Sequence, residues 1–150
     1  MAVRVRGVSG GGLAVLVVLS LLAIACGRTG EATIRLGQAE DEVVEVVDAL
    51  VEAMQLDVTQ RQELGTPGRC ELVTGQTGGS NATAVRAPIP DVDDLLGRAS
   101  AVLVQAGFEL VDGELDDGVF GRRAGMRVTV VAEESTGRVM IDAHTGCRPT

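Results

Sequence analysis

The chain has 150 residues, 45% of them hydrophobic, enough for one compact domain of the usual size of about 100–150 residues and not for two. Its 21 acidic residues face 13 cationic ones, every one of them Arg, for a net charge of −8. That balance excludes P-loop and lysine Schiff-base chemistry and argues against a nucleic-acid surface, while Phe108 and Phe120 are too few aromatics to stack bases or sugars.

Residues 1–12 carry Arg4 and Arg6 and no acid, and Leu13 to Ile24 is apolar except for Ser20. This is the form of a signal peptide, expected over residues 1–25. A dozen apolar residues span about 18 Å as a helix, short of the ~30 Å hydrocarbon core, so an uncleaved spanning anchor is the weaker reading. Val5 separates Arg4 from Arg6, which does not support a twin-arginine signal. Ala23-Ile24-Ala25-Cys26 resembles the lipobox of bacterial lipoproteins, with Ala23 where Leu is usual. The resemblance implies a lipid on Cys26 and a place on the extracytoplasmic side of the cell membrane; secretion after cleavage near Ala25 is the competing reading. Removing residues 1–25 takes away two Arg and no acid, leaving 21 acids against 11 Arg, a net charge of −10.

Residues 26–38 lack any apolar period and read as the anchored Cys and a tether, whose twelve flexible residues after Cys26 reach about 20 Å. From Ala39 the pattern turns helical: Val43, Val47, Leu50, Val51, Met54 and Val58 share a face, and Glu42, Glu45, Asp48, Glu52 and Gln55 lie mostly on the other. Glu40, Asp41 and Glu42 suit the helix N-terminus, Arg61 suits its far end, and Gly65 and Pro67 stop it. The acidic run reads as a solvated face.

Residues 70–74 and 82–87 read as strands around a Gly-rich turn over 75–81, in which Gly78-Gly79 is too short for a phosphate cradle. Asn81-Ala82-Thr83 matches a glycosylation sequon in letters only. Asp91 and Asp94 predict the capping of a second helix with Leu95, Ala99, Val102, Leu103 and Ala106 on its apolar face, closed by Gly107. Residues 108–111 follow as a strand. Asp112, Glu114, Asp116 and Asp117 resemble a calcium loop, but the sixth position is Asp117 instead of Gly and the twelfth Arg123 instead of Glu, so turn chemistry explains them better.

From Val119 to Ala132 the even positions are apolar save Arg122, and the alternation keeps phase across Gly125. It predicts one long strand with a Gly bend in preference to a hairpin turn at Arg123-Ala124-Gly125. After a turn over 133–137, a last strand over 138–143 buries Val139, Ile141 and Ala143.

With Cys26 assigned to the lipid, Cys70 and Cys147 remain as an expected disulfide in an oxidising compartment. Free thiols, or a half-complete metal site of Cys147 with His144, are the competing readings. The bond closes a loop of about 78 residues, which chain entropy values at about 4.5 kcal/mol. Strand directions reach the same pairing. With the Phe108 strand running up, the Cys70 strand starts at the top, and one unbroken strand from Val119 lets the last strand deliver Cys147 there too. Splitting that strand is expected to send Cys147 to the bottom.

The lipobox at Cys26, the first helix, a strand opening at Cys70, Ala106-Gly107-Phe108, residues 126–130 and Thr145-Gly146-Cys147-Arg148-Pro149 together resemble small actinobacterial lipoproteins of the LppA-like kind. That resemblance spans most of residues 40–149 and implies an exported, disulfide-tied α+β domain of unassigned function. The expected fold is therefore α+β: an antiparallel sheet of about five strands with two helices on one face, in the order helix-strand-strand-helix-strand-strand-strand, over residues 39–150. No catalytic residue, metal site, cofactor or nucleic-acid partner is expected; His144 reads as a surface residue. The leading function is a membrane-anchored, non-enzymatic lipoprotein presenting a small acidic interaction domain to an envelope protein. The alternative is a carrier of a lipid or small apolar ligand.

Overall fold

The computed structural model describes residues 34–111 and 117–150. The fold is α+β. Its elements in chain order are α1 (Leu36–Ala53), β1 (Gln60–Gln62), β2 (Gly68–Glu71), β3 (Thr77–Ser80), β4 (Ala82–Pro88), α2 (Leu95–Gln105), β5 (Glu109–Leu110), β6 (Gly118–Arg123), β7 (Met126–Glu133) and β8 (Arg138–His144). Six strands form an antiparallel sheet in the order β1-β4-β8-β7-β6-β5, and β2 and β3 form a separate two-stranded sheet. Four strands stand between the helices where two were expected.

The core lies between the helices and one face of the sheet. Val85 and Ala87 of β4, Val139, Ile141 and Ala143 of β8, and Met126, Val128 and Val130 of β7 are buried there with Val43, Val47 and Leu50 of α1 and Ala99 and Leu103 of α2. Period-two alternation in the strands and helical spacing in α1 and α2 supply this apolar set, as the sequence predicts. The last strand buries all three of its predicted residues.

The bounds of both helices differ from the predicted ones. α1 begins at Leu36, so Glu40 to Glu42 lie beyond its first turn, and the Leu36 amide donates to the Pro149 carbonyl at 3.0 Å. The C-terminal segment thereby satisfies one of the helix's open donors. α1 ends at Ala53, well before Arg61. Gln55 turns left-handed at φ 54°, its amide donating to the Glu52 carbonyl while the Leu56 amide donates to the Val51 carbonyl. That is a Schellman closure with Gln in the place Gly usually takes, and burial of Leu56 draws the chain into it. The residues beyond it form β1, an edge strand of Gln60, Arg61 and Gln62 with no apolar alternation to announce it. Arg61 reaches back from there to Asp48 of α1 at 2.7 Å. For α2, Asp94 and not Asp91 is the cap: its carboxylate accepts from the Gly97 amide at 3.2 Å. Gly107 closes α2 at φ 79° as predicted.

The predicted long strand over 119–132 is two strands. β6 and β7 pair antiparallel around a two-residue turn, Arg123 opposite Met126, with Ala124 at φ 45° and Gly125 at φ 80°. Two left-handed residues in succession make a type I′ turn, whose twist suits adjoining strands. The turn inverts the predicted phase of β6: Gly121 faces the helices, and Phe120 and Arg122 face the other way. The expected strand around Cys70 is displaced as well. β2 and β3 form their own hairpin around residues 72–76, and the predicted Gly-rich turn is largely the strand β3.

Candidate functional site

Cys70 and Cys147 are bonded, with their Cα atoms 5.8 Å apart, inside the range a disulfide requires. The pairing holds, but the strand directions proposed for it do not. β8 descends to the same end at which β4 begins, Ala82 lying opposite His144. β3 leads straight into that end of β4, and Cys70 is registered on Gly78 of β3. Cys147 therefore meets Cys70 at the end where β6 turns into β7, because β2 lies outside the main sheet.

That end is held by backbone meeting backbone. The Arg148 amide donates to the Gly79 carbonyl at 2.7 Å and the Gly79 amide to the Arg148 carbonyl at 2.8 Å. A Cβ on Gly78 would stand 2.5 Å from the Arg148 carbonyl oxygen, and one on Gly79 would stand 2.7 Å from Leu36 Cδ2. Glycine in β3 thus marks close approach of another chain segment and not a ligand loop. The Arg148 side chain is 1% exposed. Its Nε donates to the Thr145 carbonyl at 2.9 Å and its Nη2 to the carbonyl of Ala124 in the β6–β7 turn. The Asn81 side-chain amide donates to Glu40 Oε1 and to the Gly65 carbonyl, both at 2.9 Å, and the Asn81 amide donates to Thr145 Oγ1. Asn81 is thus a structural bracket.

Arg123 joins the layers. Its guanidinium donates to Glu42 of α1 and to the Ala106 carbonyl at the end of α2, and lies 5.0 Å from the centre of the Phe108 ring. Nothing in the local pattern around residue 123 singles it out, because its three partners are distant in sequence.

Of the predicted site residues, Cys26 lies outside the described residues, as do Asp112, Glu114 and Asp116. Asp117 uses its carbonyl to accept the Ala132 amide at 3.0 Å, an ordinary turn role. His144 is exposed on β8. Among the described residues no group of three or more His, Cys, Asp or Glu could hold a metal ion, and no helix is long and apolar enough to cross a membrane.

The sheet face turned away from the helices is covered by no described element. Register places Ala82, His144, Arg127, Arg122 and Glu109 in one row across it. Ala84, Asp142, Thr129 and Phe120 form the next, followed by Arg86, Met140 and Val131, then by Arg138 and Glu133. Phe120, Val131 and Met140 are half-buried, whereas Arg86, Arg122, Arg127, Arg138 and His144 are exposed. Arg122 lies over the Phe120 ring, 5.0 Å from its centre. The acidic residues of α1, Glu40 to Glu52, belong to the opposite, helical layer. The exposed acids of α1 therefore lie in the helical layer, while the open sheet face bears four exposed Arg together with exposed Glu109, Glu133 and Asp142. No family model matches the chain, and comparison with curated proteins and with solved structures finds no match.

Proposed function

We propose that the chain is an exported, non-enzymatic envelope lipoprotein of the LppA-like kind, anchored through Cys26 on the extracytoplasmic side of the cell membrane and carrying one α+β interaction domain. The observation that carries the reading is the open sheet face. Among the described residues no element covers it, in a domain whose interior is already filled by Val43, Val47, Leu50, Leu103, Val130 and Ile141. A face that a six-stranded sheet leaves uncovered, with apolar side chains set among charged ones, is a surface for a partner. The Cys70–Cys147 bond supports export, because such bonds persist in oxidising compartments. The filled interior supports an interaction domain over a ligand carrier, which needs room between its layers.

Metabolic labelling with a palmitate analogue tests the anchor. Label is expected on the wild-type chain and not on Cys26→Ala. Equal label on both removes the lipoprotein reading and leaves simple secretion. Cross-linking in intact membranes followed by purification under denaturing conditions tests for a partner at the open face.

A further inference from the structure

We propose that the open sheet face docks onto anionic phospholipid headgroups of the membrane to which the chain is tethered, an inference that deepens the anchored reading above and rests on it. Three observations support this occupant. The first is a pair of guanidinium groups set against each other in one outward row. Arg122 is registered directly opposite Arg127, both exposed, with Glu109 opposite Arg122 on its other side and His144 opposite Arg127. Like charges facing each other across strands cost stability, and among the described residues the ion pairs engage Arg61 and Arg123 and neither Arg of this pair. Phosphate oxygens placed along the row would remove the repulsion and make charge-assisted hydrogen bonds with both guanidinium groups.

The second observation is where the described chain enters the domain. Ile34 shares a surface hollow with Arg123 and Ala124, so the chain enters the domain at the β6–β7 turn. The Arg122–Arg127–His144 row is the outward-facing row nearest that turn. On the anchored reading proposed above, this is the end from which the sequence leads back to Cys26. The third is the segregation of charge. Glu45, Asp48 and Glu52 on α1 are exposed on the helical layer, and an anionic surface repels that layer. The sheet face, where exposed Arg86, Arg122, Arg127 and Arg138 outnumber exposed Glu109, Glu133 and Asp142, is the face better suited to approach, and it carries Phe120 under Arg122, an apolar ring suited to the interface below the phosphates.

The sequence contains neither Trp nor Tyr, so Phe120→Trp introduces a single fluorophore at the face and Val104→Trp a single one on α2, where residue 104 is 58% exposed. Full-length chain, as recovered from its cells, is mixed with vesicles of phosphatidylcholine alone or with phosphatidylglycerol added. The Phe120→Trp emission is expected to shift to the blue and to lose iodide quenching only with phosphatidylglycerol, and high salt is expected to reverse both changes. Val104→Trp is expected to change in neither mixture. Arg122→Gln with Arg127→Gln is expected to weaken the response by about thirty-fold in vesicle concentration, from roughly five-fold per Arg, with thermal unfolding of the variant checked to be no lower than wild type.

An equal response to both lipid mixtures, a response at position 104 in place of 120, or a response that survives the double substitution overturns the proposal. Protection of position 120 that grows with protein concentration and without vesicles assigns the face to a second copy and also overturns it. The mass of the Cys26 peptide from the same preparation reports acylation separately. A chain that lacks the lipid yet answers to phosphatidylglycerol overturns the anchor and not the face, and an acylated chain that does not answer overturns the face alone.

Discussion

The centre of the sheet and its disulfide-bonded end are built on different principles. In the centre, β4, β8 and β7 bury every second side chain, from Val85 through Ile141 to Val130, against α1 and α2. At the disulfide end Gly78 and Gly146 let backbones touch, Gly79 makes room for Leu36, and the buried guanidinium of Arg148 collects carbonyls. The centre is held by area removed from water, which tolerates modest change in shape. The end is held by hydrogen bonds and close approach, which tolerate almost none. Substitutions that merely trim atoms should therefore be felt in the centre, and substitutions that add them should be felt at the end.

The largest effect is expected at the end itself. Replacing both cysteines, Cys70→Ala with Cys147→Ala, releases a loop that chain entropy values at about 4.5 kcal/mol, enough to consume most of the stability of a small domain. Calorimetry of the oxidised chain against the variant measures it, and an unchanged unfolding temperature would show that the backbone bridges alone hold the end. In the centre, Ile141→Ala is expected to cost about 3 kcal/mol by denaturant titration, since the side chain is fully buried in the core between Val85 of β4 and Val130 of β7. A cost under about 1 kcal/mol there would mean the centre is less tightly packed than its burial implies.

Adding one carbon separates the two regions more sharply. Gly78→Ala places a Cβ 2.5 Å from the Arg148 carbonyl oxygen, which cannot move without breaking the Gly79–Arg148 bridges. A loss of about 2 kcal/mol is expected, with the Cys70–Cys147 bond more readily reduced by dithiothreitol. Gly37→Ala is the control, because a Cβ there meets nothing within 4 Å and the position is helical. It should be neutral or slightly stabilising.

These two principles also separate what could be read from residues alone. The apolar faces of α1, α2, β7 and β8 were legible because periodicity records burial against a layer. The pairing of Cys70 with Cys147 was legible from parity and compartment, yet the strand directions offered for it rested on an unbroken strand over 119–132 that does not exist. Three local features concealed the true path: a left-handed Gln55 closing α1 early, an all-polar edge strand over Gln60–Gln62, and a glycine-bearing strand, Thr77–Ser80, that reads as a loop. In each case the deciding contact comes from far along the chain, Leu56 with the core, β1 with β4, and Gly79 with Arg148. Arg123 and Arg148 were invisible as key residues for the same reason. The open face was hidden by the phase inversion at Ala124-Gly125, since β6 read in phase with β7 assigns Phe120 and Arg122 to the interior.

The smallest expected effect bears on that inversion directly. Ala124 sits at φ 45°, a conformation that costs an L-residue with an ordinary Cβ about 1 kcal/mol, and Asn tolerates it better than Ala. Ala124→Asn sets Asn before Gly125, the pair that a type I′ turn favours most. The carbonyl that Arg148 holds belongs to the backbone and is kept. A gain of about 0.5 kcal/mol is therefore expected, read as a small rise in unfolding temperature. The sign is the informative part. In one continuous bent strand, Asn for Ala would lower strand propensity and destabilise, so a fall in unfolding temperature would restore the unbroken strand and turn Phe120 back toward the helices. A rise fixes the reversal, and with it the outward direction of Arg122 and Phe120 on which the membrane-facing surface depends.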